Sequence, residues 1–299
     1  MARVKQVSEH RAEGDVERVY HELRQSLRVS GVDVSLRTWA AHPRFFVAMW
    51  EALGPNVETR AFEELAAGLW QEVLDTTVRW EVLGAWSSVK LGPSQRFHAR
   101  GALELYEAMQ PRVMLMVSAV RLALEGHVVG RRGVPGELER LERGIPSRMA
   151  AMEWVAEKPR DAATRSLFAD IEKTVGPPGV PGEYRALACW PEYLEAAWRR
   201  LKPRMKDDDF QAAAESLRES ARRRALALPF EVSLSRERVA ALGENVEAIS
   251  RVTQALETRL PSLLLNLSRL VQDVPDILRQ PMPGASRLVP DWVAAEELR

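Results

Sequence analysis

The residue best placed to do chemistry is Glu183. It follows Gly176-Pro177-Pro178-Gly179-Val180-Pro181-Gly182 directly, a run that cannot be helical because its prolines lack N–H donors and clash with the preceding turn. It also opens the stretch Tyr184-Arg185-Ala186-Leu187-Ala188, which leads into Trp190-Pro191. A helix start offers fixed N–H donors that steady an anion, and a Pro-rich approach restricts its wandering. A carboxylate held in this way can act as general base toward a water. The same position equally suits an ordinary acidic residue of a first helical turn, where Asp and Glu are favoured by the helix dipole. Both readings stand at this point.

Glu183 draws notice because the chain repeats itself and the repeat lacks it. Pro43 and Pro191 lie 148 positions apart, and at that offset Gly31-Val32 matches Gly179-Val180. Arg37 likewise matches Arg185, Trp50 matches Trp198, Pro55 matches Pro203 and Phe62 matches Phe210. Where the second copy has Glu183, the first has Ser35. Later residues pair at an offset of 150, as Pro111/Pro261, Leu115/Leu265 and Ser118/Ser268. The simplest reading is two tandem helical repeats forming an intrachain pseudo-dimer. The interface between them would bury a cleft, and departures from symmetry inside it are where a single active centre can arise.

The elements that must position these residues read as helices throughout. Val16, Val19, Tyr20, Leu23 and Leu27 recur at helical steps, as do Phe46, Met49, Trp50 and Leu53 behind Pro43. Tyr106 to Leu124 reads as a helix buried on most sides, with Leu256 to Val271 as its counterpart, and Ser235 should cap a helix running through Ile249. Period-two strand signals are scarce, so the predicted fold class is all-α. The expected organisation is repeat 1 over 1–130, a linker over 131–160 marked by Pro135-Gly136, and repeat 2 over 161–299. The last includes a tail after Pro281 that should wrap the surface.

Composition narrows the function. Lys plus Arg and Asp plus Glu both number 42, so net charge is zero and no basic footprint for nucleic acid or an anionic membrane exists. No apolar run reaches the roughly 18 residues of a membrane span. The N-terminus lacks the apolar core of a signal peptide, so a cytoplasmic protein is expected. The five histidines show no HExxH or i,i+4 pairing, so no metal site is predicted. No dinucleotide or Walker pattern occurs, and no cofactor is expected. The nine tryptophans read as packing, and the lone Cys189 as a small buried hydrophobe.

Tyr184-Arg185-Ala186-Leu187-Ala188-Cys189-Trp190-Pro191 resembles the second-repeat motif of the group I 2-haloacid dehalogenases. The run Leu27-Arg28-Val29 with Arg37, Ala40 and Pro43 resembles the first-repeat motif, and Gln110-Pro111-Arg112 looks like that family's Asn-Pro-Lys. The resemblance spans about Asp15 to Leu270, duplication included. It implies an all-helical pseudo-dimer that hydrolyses the carbon–halogen bond at C2 of short 2-halocarboxylic acids with inversion. An aspartate would activate water directly, an asparagine would position it, and no metal or organic cofactor would take part.

The chain departs from that pattern at both polar positions. Glu183 stands for the aspartate and Gln110 for the asparagine, each one methylene longer. A bulky pair lining the family pocket corresponds to Gly31 and Val34, which predicts a wider pocket. In-line displacement also demands an apolar slot for the halogen, for which Val34, Val113 and Tyr184 are candidates. A cation for the substrate carboxylate is needed too. Arg37 and Arg185 are candidates, although duplicated arginines more often make structural ion pairs. The expected partner is a small carboxylic acid, with further homodimerisation left open. The alternative is a non-catalytic relative that binds a ligand or partner on the same scaffold.

Overall fold

The computed structural model describes residues 5–131 and 138–275. The tail after Pro281 and Pro135-Gly136 of the linker lie outside the described residues. Twelve α-helices form among the described residues. The first six are α1 (Gly14–Leu27), α2 (Val34–Trp39), α3 (Pro43–Val57), α4 (Arg60–Thr77), α5 (Ala85–Ser88) and α6 (Pro93–Leu124). After a non-helical stretch follow α7 (Ala162–Val175), α8 (Gly182–Leu187), α9 (Pro191–Arg204), α10 (Asp208–Leu226), α11 (Arg236–Ala241) and α12 (Val246–Asp273). No strand forms among them; one isolated bridge joins Thr59 to Arg140.

Local chemistry explains the boundaries. Pro43 and Pro191 sit in the first turns of α3 and α9, where a missing N–H costs nothing. The side chains of Asp33, Thr59, Asp161 and Asn245 accept backbone N–H bonds at the starts of α2, α4, α7 and α12. These bonds satisfy donors that no helical carbonyl can reach.

Six of these helices precede the non-helical stretch and six follow it, and one contact occurs at positions 148 apart in both sets. Trp50 Nε1 donates to Glu22 on α1 at 2.5 Å, and Trp198 Nε1 donates to Asp170 on α7 at 2.8 Å. The most extensive helix–helix contact is α6 along α12. At 32 residues α6 spans about 48 Å, and from Leu103 to Leu124 it is buried nearly without interruption. Its Arg112 reaches Glu63 on α4 at 2.7 Å, and Arg28 pairs with the same carboxylate. All three side chains are buried, so each charge needs the others.

Three expectations are corrected here. The helix capped by Ser235 does not reach Ile249; it stops at Ala241, Gly243 takes φ +73°, and Asn245 caps a new helix. The central helix begins at Pro93, well before Tyr106, because Pro93 and the polar first turns extend it to the surface. Cys189 is exposed, turned outward by the tight turn that follows α8. No helix among the described residues is long and apolar enough to cross a membrane.

Candidate active site

Glu183 is the second residue of α8, and only 1% of its surface is exposed. Gln110 lies midway along α6, just before Pro111, and is equally enclosed. The two residues are far apart in sequence, yet the Gln110 amide donates to Glu183 Oε2 at 3.4 Å. The same Nε2 donates at 3.1 Å to Asp33 Oδ2. Asp33 holds its own place as the cap of α2, its Oδ1 accepting the Ser35 N–H at 2.7 Å. The result is a buried carboxylate–amide–carboxylate cluster drawn from three helices. Glu183 Oε1 and Gln110 Oε1 are left buried with no hydrogen-bond partner.

The walls around this cluster come partly from the segment that joins the two helical sets. Trp154 Nε1 donates to the Tyr106 hydroxyl, one turn before Gln110 on α6. A β-carbon on Gly182 would stand 2.7 Å from that hydroxyl and 3.1 Å from the Trp154 ring, so only glycine allows the approach. Gly31 is equally tight, since a β-carbon there would meet Met152 Sδ at 2.5 Å. The extra space expected beside Gly31 is therefore already filled, by a side chain from elsewhere in the chain.

Burial sets the electrostatics. It pushes the Glu183 carboxyl up to about 8, and the charge of Asp33 adds to the rise, with Arg259 pulling the other way. Arg259, on α12, is brought down to about 10 by burial, opposed by attraction to Asp33 and Glu183. Tyr106 is held far above its ordinary value by the same desolvation. A carboxyl held near neutrality is matched to proton transfer at ordinary pH.

The remaining predicted residues divide into two groups. Val34 follows Asp33 directly, Val113 lies one turn beyond Gln110, and Tyr184 follows Glu183; all three are buried. Tyr184 is turned toward the second helical set, its hydroxyl accepting from Asn266 at 3.0 Å and its ring edge-on to Trp198. Arg37 and Arg185 meet at Trp154, the side chain that also touches Tyr106 beside the cluster. Their guanidinium groups stack on Trp154 at 4.0 and 4.4 Å, and each Nε donates to a backbone carbonyl, Val32 or Val155. Arg37 also pairs with Glu9. The two cation–π contacts and the Arg185 bond to Val155 tie the connecting segment to both arginines.

Sequence reasoning passed over Asp33, Tyr106, Met152 and Arg259. A signal existed for Arg259: it lies on the apolar stripe of Leu256 and Leu263, where a surface cation is out of place. No group of three or more His, Cys, Asp and Glu among the described residues is arranged to hold a metal ion.

Fold and site together define an all-helical protein whose acid–amide cluster is enclosed beside its long central helix. The chain belongs to the family described as halocarboxylic acid dehydrogenase DehI, whose model matches residues 30–174 and 178–273. It is 27% identical over 288 residues to an (R)-2-haloacid dehalogenase of Pseudomonas putida, covering 90% of this chain and 92% of that protein. A configuration-inverting 2-haloacid dehalogenase of Pseudomonas sp. (strain 113) is 27% identical over 73% of each chain. The fold matches the solved complex of a D-2-haloacid dehalogenase mutant with D-2-CPA at a TM-score of 0.81 and 23% identity, over 91% of this chain and 96% of that one.

Proposed function

We propose that this chain hydrolyses the carbon–halogen bond at C2 of small 2-halocarboxylic acids, with Glu183 as base and Gln110 positioning the water. The observation that carries the reading is the pair of unpartnered acceptors, Glu183 Oε1 and Gln110 Oε1, on two side chains joined at 3.4 Å. A water donating one hydrogen to each would have its lone pair free to face a bound substrate. Its oxygen attacks C2 as the halide leaves from the opposite side, and Glu183 takes the proton. The products are a 2-hydroxy acid of inverted configuration, a halide ion and a protonated Glu183. The inverting relative and the complex with D-2-CPA support this reaction class for the family.

Asp33 is assigned as a positioning residue: by accepting from the Gln110 amide it fixes which end of that amide faces the water. Val34 and Val113 supply the apolar surroundings, and a sealed, low-dielectric site strengthens each of these polar contacts. The non-catalytic alternative is not favoured, because the acid and the amide meet in one enclosed place. The test is halide release from 2-chloropropionate by the wild-type chain and by Glu183→Gln, with folding checked by circular dichroism. Release that survives the substitution would remove Glu183 from the chemistry.

A further inference from the structure

The cluster contains two carboxylates, and the proposed substrate carries a third. Arg37 and Arg185 both stack on Trp154, and Arg259 is a further buried cation that feels the cluster. Arg259 is 95% buried by its 5% exposure, and its Nε has no hydrogen-bond partner. One of its terminal nitrogens donates to the carbonyls of Pro178 at 3.1 Å and Gly179 at 3.2 Å, which belong to the loop leading to Glu183. Arg259 also lines a groove of about 1210 Å³ between α7, α9 and α12, and Pro178 shares that wall. Arg259 thus feels the charges of the enclosed cluster and also lines an open surface groove.

The groove has the right charge for an anion. Lys173, Lys202, Lys206 and Arg251 line it with Arg259, against one lining carboxylate, Asp170. That carboxylate is already taken by Lys202 at 2.6 Å. Glu172 lies close enough to act on Arg259 but does not line the groove. A cleft of one sign concentrates counter-charged solutes and speeds their arrival.

We propose that this groove is the route by which the anionic substrate reaches the site, and that Arg259 is the seat of its carboxylate. The proposal rests on the dehalogenase reading for the identity of the substrate. A carboxylate binding side-on would use the idle Nε together with a terminal nitrogen, the bidentate geometry that guanidinium favours. The guanidinium would also offset the repulsion of that carboxylate by Asp33 and Glu183, the two acids whose field Arg259 already feels. The volume exceeds what a three-carbon acid needs, so substrates with longer side chains are accommodated on the same path.

The experiment compares wild type with Arg259→Met, Arg259→Lys and the groove double variant Lys206→Glu/Arg251→Glu. Halide release from 2-chloropropionate gives kcat and KM; thermal stabilisation by propionate, which has no halogen, reports carboxylate binding alone. Arg259→Met should raise KM at least about tenfold with a smaller loss in kcat, and propionate should no longer stabilise it. Arg259→Lys should fall between, keeping charge but losing the fork. The groove variant should lose kcat/KM severalfold at low salt, a loss that fades near 0.5 M, where screening is nearly complete at about 4 Å. A folded Arg259→Met with wild-type KM and propionate stabilisation overturns the proposal. Should that variant not fold, wild-type KM in both Arg259→Lys and the groove variant overturns it instead. Absence of halide release by wild type would sink the dehalogenase reading, whereas propionate stabilisation lost on changing Arg259 would still establish the seat.

Discussion

The amide of Gln110 donates to the carboxylate of Glu183 across 3.4 Å, tying the middle of α6 to the first turn of α8. Both side chains are one methylene longer than the Asp and Asn that the resemblance implies at these positions, and the two longer arms meet. The contact therefore depends on the pair, and changing one arm should cost more than changing both.

Under the proposed function Glu183→Gln removes the base, and kcat should fall by about 10² to 10⁴, the usual worth of a general base. Glu183→Asp withdraws the carboxylate by about one bond length and should lose on the order of 10² through misplacement. Steady-state halide release measures both. An Asp variant as fast as wild type would show that the extra reach of Glu183 is not used.

Activity should rise with pH. Glu183 must be ionised to accept a proton, and burial with the neighbouring Asp33 holds it near 8. The kcat/KM profile should climb to a plateau above about pH 8. Asp33→Asn removes the second carboxylate, so the midpoint should move to lower pH. A midpoint that stays put or rises contradicts the coupling between the two acids.

Stability should run the opposite way. The folded state holds the Glu183 proton up to about 8, whereas an unfolded glutamate releases it near 4.3. Between those values the folded state binds the extra proton, so stability falls as pH rises, by at most about 1.4 kcal/mol per pH unit from this group. Glu183→Gln should abolish that slope. Glu107, pushed up to about 7 by burial, contributes with the same sign in both proteins and cancels in the difference. Melting temperatures of the two proteins should diverge from pH 5 to 8; parallel curves would count against a raised Glu183.

Gly31→Ala should destabilise the fold by about 1 to 3 kcal/mol, the common range for overpacking. The new methyl group would meet the Met152 side chain, 2.5 Å away at Sδ. Met152→Ala on the same chain should recover much of the loss, giving a double-mutant coupling energy measurable by urea unfolding. Additive effects would mean the two residues do not share that space.

Much of this was legible in the sequence because helical periodicity is a local signal. Pro43 and Pro191 mark helix starts, and the apolar steps of Val16 to Leu27 give a buried face directly, whereas the start at Pro93 is hidden by its polar first turns. Glu183 and Gln110 were found through motif positions, and they do meet. The reading missed what depends on crossing from one part of the chain to another. Asp33 carries no local signal, because its partner Gln110 lies 77 positions away. Gly31 was read as empty space because no local pattern shows that Met152 returns to fill it. Arg37 and Arg185 match each other in the sequence, but no local pattern shows that both stack on the same Trp154.

Trp154 and Met152 sit in the stretch that joins the two helical sets, and each presses on a glycine, Gly182 and Gly31 respectively. A tether usually tolerates added or lost residues, since only its reach matters. This one is also masonry: shifting its register by a single residue would pull both side chains off their glycines together. Changes in joint length should therefore register as altered catalysis and altered substrate size before they register as looser attachment.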